Sequence, residues 1–244
     1  MKYLIFSDLH GNLEALEVVL EQIDVQKPDR VMCLGDVVGY GPNPNECIRR
    51  VSQSAQATIM GNHDHAVLGL TDVAYFNQYA KTAVLWTREV LIEEYYDILR
   101  NYPFSISENN ILFVHSTPLH PERWDYIFNP LEGQYYLHHL EEQVCFIGHS
   151  HQPLFFIQDQ EGRIVFSRQP SFELSVQEGC KYIVNVGSVG QPRDGNPDAS
   201  YAFYDTDAKT IAVERLAYDF TVTQQKMEEV NLPAFLIDRL AYGR

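Results

Sequence analysis

The sequence predicts an α/β fold, and three observations carry that expectation. Between residues 2 and 60 short apolar runs alternate with a helical period, the pattern of parallel strands joined by a crossover helix. Beyond residue 151 apolar runs separated by turn-like stretches read as hairpins forming a second sheet. Five apolar runs also stop at residues able to bind metal or phosphate. Asp8 and His10 follow residues 3–6, Gly35 and Asp36 follow 31–34, and Gly61, Asn62, His63 and Asp64 follow 58–60. His115 follows 111–114, and Gly148, His149, Ser150 and His151 follow 144–147. Ligands of α/β sheets gather at the carboxyl ends of strands, so these ends make one site. A chain of 244 residues has material for a single domain with its own core, taken as residues 1–244.

In chain order, residues 2–6 form the first strand, stopped by Ser7 and Asp8. Leu13, Leu16, Leu20 and Ile23 follow at helical spacing, with Asn12 as cap, Glu14 and Glu17 near the positive end, and Lys27 with Pro28 as terminator. Residues 31–34 form the next strand, and a right-handed parallel crossover gathers Asp8, His10 and Asp36 on one edge. Glycines and prolines from 39 to 44 mark a constrained loop entering a helix through Cys47, Ile48 and Val51. Residues 57–60 form the third strand and deliver Asn62 and His63, with His65 either on the surface or supporting the site.

Residues 72–101, rich in Tyr, Phe, Leu and Trp, read as helix packed on the core or as a helical cap lining a substrate pocket. Residues 104–106 and 111–114 flank 107–110 as a hairpin. Residues 120–125 make a polar and aromatic excursion in which Arg123 and Trp124 are candidate substrate contacts. A helix over 131–142 follows, with His138 and His139 expected at the surface. Hairpin strands are then expected at 154–157, 163–166, 182–186, 201–204 and 210–215. The glycine-rich loop 187–195 interrupts them, and its Arg193 is a phosphate candidate. Residues 221–241 read as carboxyl-terminal amphipathic helices split by Pro233.

Composition excludes some partners. With 18 basic and 33 acidic residues the net charge is −15, so extended nucleic acid is not expected and a small anion fits better. Cys33, Cys47, Cys145 and Cys180 are scattered without a Cys-x-x-Cys pair, which points to a reducing compartment. The first apolar run is too short for a signal peptide and no run is long enough to span a bilayer, so the expectation is a cytoplasmic protein with no membrane partner. The aromatic-rich segment and the carboxyl-terminal helices are candidate faces for a homodimer.

Asp8, His10, Asp36, Asn62, His115, His149 and His151 together offer three oxygen donors and four imidazoles. That mixture suits Mn, Fe or Zn better than Ca, and it exceeds the needs of one tetrahedral zinc. Two divalent or trivalent ions are implied, with Asp36 placed to bridge them. Ions roughly 4 Å apart can clamp a phosphoryl group, acidify a bridging water and stabilise an in-line displacement. Phosphate ester hydrolysis by a metal-bridging hydroxide is the chemistry expected.

These residues, in this order over 1–151, resemble the calcineurin-like metallophosphoesterase family. The loop 39–44 is similar to that of small bacterial members related to diadenosine tetraphosphatases. The resemblance implies a four-layer α/β/β/α sandwich of two packed mixed β-sheets. It also implies a binuclear-metal phosphoesterase acting on a phosphomonoester, a phosphodiester or a small nucleotide such as a dinucleoside polyphosphate. One ion would take Asp8, His10, Asp36 and His151, and the other Asp36, Asn62, His115 and His149. His63 would protonate the leaving oxygen, and Asp64 is expected to orient it.

Departures from the family pattern weigh on specificity. Serine/threonine phosphatases of the superfamily continue the second motif with an aspartate and an arginine, where this chain has Gly39 and Tyr40. Tyr40 therefore stands at a substrate-binding position, and Arg193 or Arg123 would supply the positive contact. His115 is followed by Ser116 rather than glycine. The competing readings are a phosphoprotein phosphatase, a nuclease disfavoured by the acidic surface, and a non-catalytic metal-binding scaffold for protein partners.

Overall fold

The fold was read from a computed structural model that describes residues 1–244. Strand β1 (Lys2–Phe6) leads through Asn12, whose side-chain oxygen accepts from the Ala15 amide at 3.2 Å, into α1 (Leu13–Gln26). Lys27, in a left-handed conformation, closes that helix. Strand β2 (Arg30–Cys33) lies parallel to β1, as the crossover requires. Helix α2 (Pro44–Ser54) and strand β3 (Ala57–Thr58) repeat the unit, with β3 parallel to β2. The third strand is shorter than expected because the chain leaves the ladder at Met60, whose amide donates to the Pro103 carbonyl at 2.8 Å. Helix α3 (Asn62–Val67) starts at once.

Residues 72–101 hold helices α4 (Gln78–Val90) and α5 (Glu93–Arg100), which bury Val84, Tyr95 and Leu99 in the main outer core together with Leu91 between them. Strands β4 (Ser105–Glu108) and β5 (Ile111–Val114) form the expected hairpin with a tighter turn. Only Asn109 and Asn110 turn, both at positive φ (52° and 64°), the two-residue geometry whose twist matches the strands. Helix α6 (Pro130–His139) starts on a capping box between Asn129 and Glu132 and ends before residue 142, because Leu140 is already extended on the way to β6 (Val144–Ile147). His138 and His139 are exposed, as expected.

The remaining strands are β7 (Leu154–Gln158), β8 (Ile164–Arg168), β9 (Phe172–Ser175), β10 (Lys181–Asn185), β11 (Ala199–Asp205) and β12 (Thr210–Leu216). They do not form a second sheet of their own, and β9 lies where no strand was expected. One sheet has the order β3-β2-β1-β11-β12-β9 and the other β4-β5-β6-β10-β7-β8. Strand β1 pairs antiparallel with β11, while β6 runs parallel to both β5 and β10, so both sheets are mixed. Hairpin pattern fixes local pairing; partner choice across the chain depends on which apolar faces meet.

Alternation along the strands builds the layers. In β1, Tyr3 and Ile5 point between the sheets with Phe113, Phe146 and Val184 of the other sheet, whereas Leu4 and Phe6 pack with Leu16 and Val19 of α1. On the far side Leu137 of α6 packs with Cys145, Ile147 and Phe156. The result is the α/β/β/α sandwich. Helices α7 (Phe220–Glu229) and α8 (Ala234–Asp238) join Tyr40, Ala80 and Ala83 in a further cluster beside the site. All four cysteines are free and buried, and no helix is long and apolar enough to cross a membrane.

Candidate metal centre

The loops after β1, β2, β3, β5 and β6 converge at one end of the two sheets. Asp8, His10, Asp36 and His151 bring ligand atoms within 4.8 Å of one another, and so do Asp36, His115 and His149. Asp36 belongs to both groups. Its Oδ1 accepts from the His63 amide at 2.7 Å, and its Oδ2 lies 3.6 Å from His10 Nε2 and 3.5 Å from His115 Nε2. Asn62 Oδ1 lies 3.2 Å from His115 Nε2, beside the second group. The backbone is unusual here: Asp8, His10, Asp36, His149 and His151 all have φ between 51° and 65°. Non-glycine residues rarely adopt that region, and runs of them mark sites where local strain is held by surrounding structure.

The orientation of the imidazoles tests whether a cation fits. His10 Nδ1–H donates to the Val38 carbonyl at 3.2 Å and His115 Nδ1–H to Leu34 at 2.8 Å. His149 Nε2–H donates to Trp124 at 2.9 Å, and His151 Nδ1–H to Gln191 at 2.6 Å. A carbonyl only accepts, so in a neutral imidazole the other nitrogen is a bare lone pair. Those nitrogens face each other, His10 Nε2 to His151 Nε2 at 3.1 Å and His115 Nε2 to His149 Nδ1 at 3.2 Å. Asp8 Oδ1 is also buried without a hydrogen-bond partner. Facing lone pairs around two buried carboxylates are a donor set made for cations, with the outer nitrogens fixed as metal-binding histidines require.

Burial opposes charge on Asp8 and Asp36, yet the surrounding imidazoles outweigh it and hold both carboxyls below the usual range. Burial likewise pulls His115 down, but Asp36 and Asp8 outweigh it and raise the imidazole to about 9. Without an ion, a proton on His115 takes over part of the cation's role.

Residues 1–209 match the family described as the calcineurin-like phosphoesterase superfamily domain. The chain belongs to that family. It is 38% identical to a metallophosphoesterase from Sphaerobacter thermophilus, whose structure aligns over 100% of this chain and 99% of that one with a TM-score of 0.88. It is also 38% identical to an uncharacterized protein of Methanocaldococcus jannaschii over 98% of this chain and 97% of the relative. Phosphodiesterase YfcE of Escherichia coli is 26% identical over 86% of this chain and 91% of its own length.

Around the calcineurin-like cluster, His63 is buried with Nδ1 unpartnered. Burial lowers its pKa to about 4, partly offset by Asp36 and reinforced by Arg193. Asp64 makes no hydrogen bond to that ring, contrary to the expectation that it orients it. Its carboxylate accepts from the amides of Val38 at 3.2 Å and Gly61 at 3.1 Å, so it fixes the two ligand loops to each other. Burial and the charge of Asp36 raise Asp64 to about 7. Two glycines are dictated by contact. A Cβ on Gly61 would lie 2.2 Å from Asp36 Oδ1, and one on Gly39, at φ 127°, would lie 2.7 Å from His63 Nδ1. With this backbone, any side chain at position 39 would crowd the His63 ring.

The cluster opens into a pocket of about 460 Å³ walled in part by Tyr40, Phe76, Arg123, Trp124, Tyr126 and Arg193. The Tyr40 ring lies 4.4 Å from that of His63 and 4.7 Å from that of His10, and the Arg193 guanidinium sits 5.6 Å from its centroid. Gln191 Oε1 holds Arg193 at 2.7 Å. Ser116, the departure after His115, donates to the Pro121 carbonyl at 2.8 Å and so ties down the segment bearing Arg123 and Trp124. His65 supports that segment too, bonded to Thr71 at 2.7 Å and packed 5.6 Å from the Trp124 ring. Sequence reasoning passed over Tyr126, whose ring stacks on His149 at 4.0 Å. Its signal was a second aromatic two positions beyond Trp124.

Proposed function

We propose that the protein hydrolyses a phosphomonoester, a phosphodiester or a small nucleotide, with two metal ions held on either side of Asp36. The observation that carries this reading is the set of four carbonyl-aimed imidazoles facing two buried carboxylates at the floor of an open pocket. Asp8, His10, Asp36 and His151 would hold one ion, and Asp36, Asn62, His115 and His149 the other. Mn, Fe and Zn suit such donors. When bound, the ions supply positive charge to the phosphoryl oxygens and acidify water for attack.

The chain's own residues do the rest. Arg193, resting on Tyr40, places a cation beside the developing phosphoryl charge, the contact that serine/threonine phosphatases take from the position of Tyr40. His63 is neutral in the free site, and a phosphate anion beside it favours its protonated form, so substrate binding arms it to protonate the leaving oxygen. Asp64 keeps His63 and Asp36 in register by clamping Val38 and Gly61. The 26% identity to a phosphodiesterase over most of the chain supports an ester substrate.

The test strips the protein of metal, restores Mn, Fe, Zn or Mg singly, and follows a chromogenic monoester and diester. Turnover is expected only with ion present. Stoichiometric ion binding without hydrolysis of either ester would replace this reading with the scaffold.

A further inference from the structure

The pocket above the cluster is larger than a phosphoryl group requires, and what lines it is specific. Tyr75 is 87% exposed at its wall, without an aromatic partner, yet it is not on a loose loop. It sits in a short 3-10 turn capped by Asp72, which accepts from the Ala74 amide at 2.8 Å. Asn77 spends its oxygen on the amides of Tyr79 and Ala80, at 3.0 Å each, which leaves its NH₂ as a donor on the pocket wall. Arg123 is exposed, and its guanidinium makes no ion pair or hydrogen bond in a chain of net charge −15. Asp36 is the sole carboxylate on the wall. An open ring face, a free amide donor and an unpaired cation therefore surround a space suited to a small molecule.

We propose that this pocket selects a nucleoside diphosphate unit, a step that rests on the phosphoesterase reading of the same site. The base lies against Tyr75 with Asn77 donating to its edge, and Arg123 takes the phosphate adjacent to the one at the cluster. Aromatic side chains stack on any base, and arginine pairs with phosphate in a fixed bidentate geometry. A singly phosphorylated side chain offers no second phosphate for Arg123.

Binding to the Mn-loaded protein tests this by calorimetry, using α,β-methylene-ADP and its base-free counterpart ribose 5-(methylenediphosphonate), in which the linkage between the phosphorus atoms resists hydrolysis. The nucleotide is expected to bind about five- to a hundredfold tighter, the worth of one stacked base. Tyr75→Ala removes that preference and leaves binding of the base-free ligand unchanged. Arg123→Ala weakens both ligands by a similar factor and keeps the preference. Equal binding of the two ligands, or a preference untouched by Tyr75→Ala, overturns the proposal, as does Arg123→Ala leaving both affinities intact. Hydrolysis of the chromogenic ester is scored separately. A protein that cleaves it without preferring the nucleotide keeps the phosphoesterase reading and loses this one.

Discussion

Val38, Leu34, Trp124 and Gln191 each offer one histidine of the cluster a backbone carbonyl, and those carbonyls decide which nitrogen of each histidine faces inward. The candidate ligands were legible because aspartate and histidine at the end of an apolar run are unusual side chains in an unusual place. The carbonyls were not, since every residue carries one. For the same reason Asp64 was given to His63 by adjacency, whereas its oxygens bind backbone amides. The proton on His115 has a measurable consequence. Its pKa is raised to about 9 in the absence of ions, so an ion must displace that proton. Below about pH 9, ion binding is expected to release a proton and to tighten as pH rises, levelling off above. Calorimetry in two buffers of different ionisation heat measures that release directly. The stability that the metal-free protein draws from His115 is present below its unfolded value of about 6.5 and fades as pH rises toward 9.

At the scale of elements, the strand-helix-strand start was legible because its spacing is local: one crossover, one cap and one parallel pair. The later hairpins were legible as pairs but not as members of sheets. Strand β11 pairs with β1 across nearly the whole chain, Ala202 opposite Ile5, and no turn signal announces such a partner. That pairing matters to the site, because the loop between β10 and β11 carries Arg193. Arg215 of β12 anchors the same loop through a buried ion pair with Asp194, each side chain only 8% exposed. Arg215→Ala leaves Asp194 buried and unpaired, with an expected cost of about 3 kcal/mol in denaturant unfolding. Replacing both partners by Met and Leu is expected to recover most of that loss. Equal stability of wild type and Arg215→Ala would show that the pair does not hold the loop.

Across the whole molecule, two sheets face each other so that loops from both end at one edge, and an acidic chain concentrates Arg123 and Arg193 beside that edge. The sandwich was legible through the motif order, and so were several pocket walls, in the aromatic-rich segment, Tyr40, Arg123, Trp124 and Arg193; how residues 40, 71–80, 123–126 and 193 meet around one space was not, because they are far apart in sequence. The most direct measurement titrates Mn into metal-free wild type and His63→Ala while recording both ions bound and hydrolysis of a phosphodiester with a poor leaving group. Wild-type turnover is expected to appear with the second equivalent. His63→Ala is expected to bind the same two equivalents and to lose about 10²- to 10⁴-fold in rate, the usual worth of a general acid. Full activity after one equivalent, or in His63→Ala, would contradict a two-ion site served by that histidine.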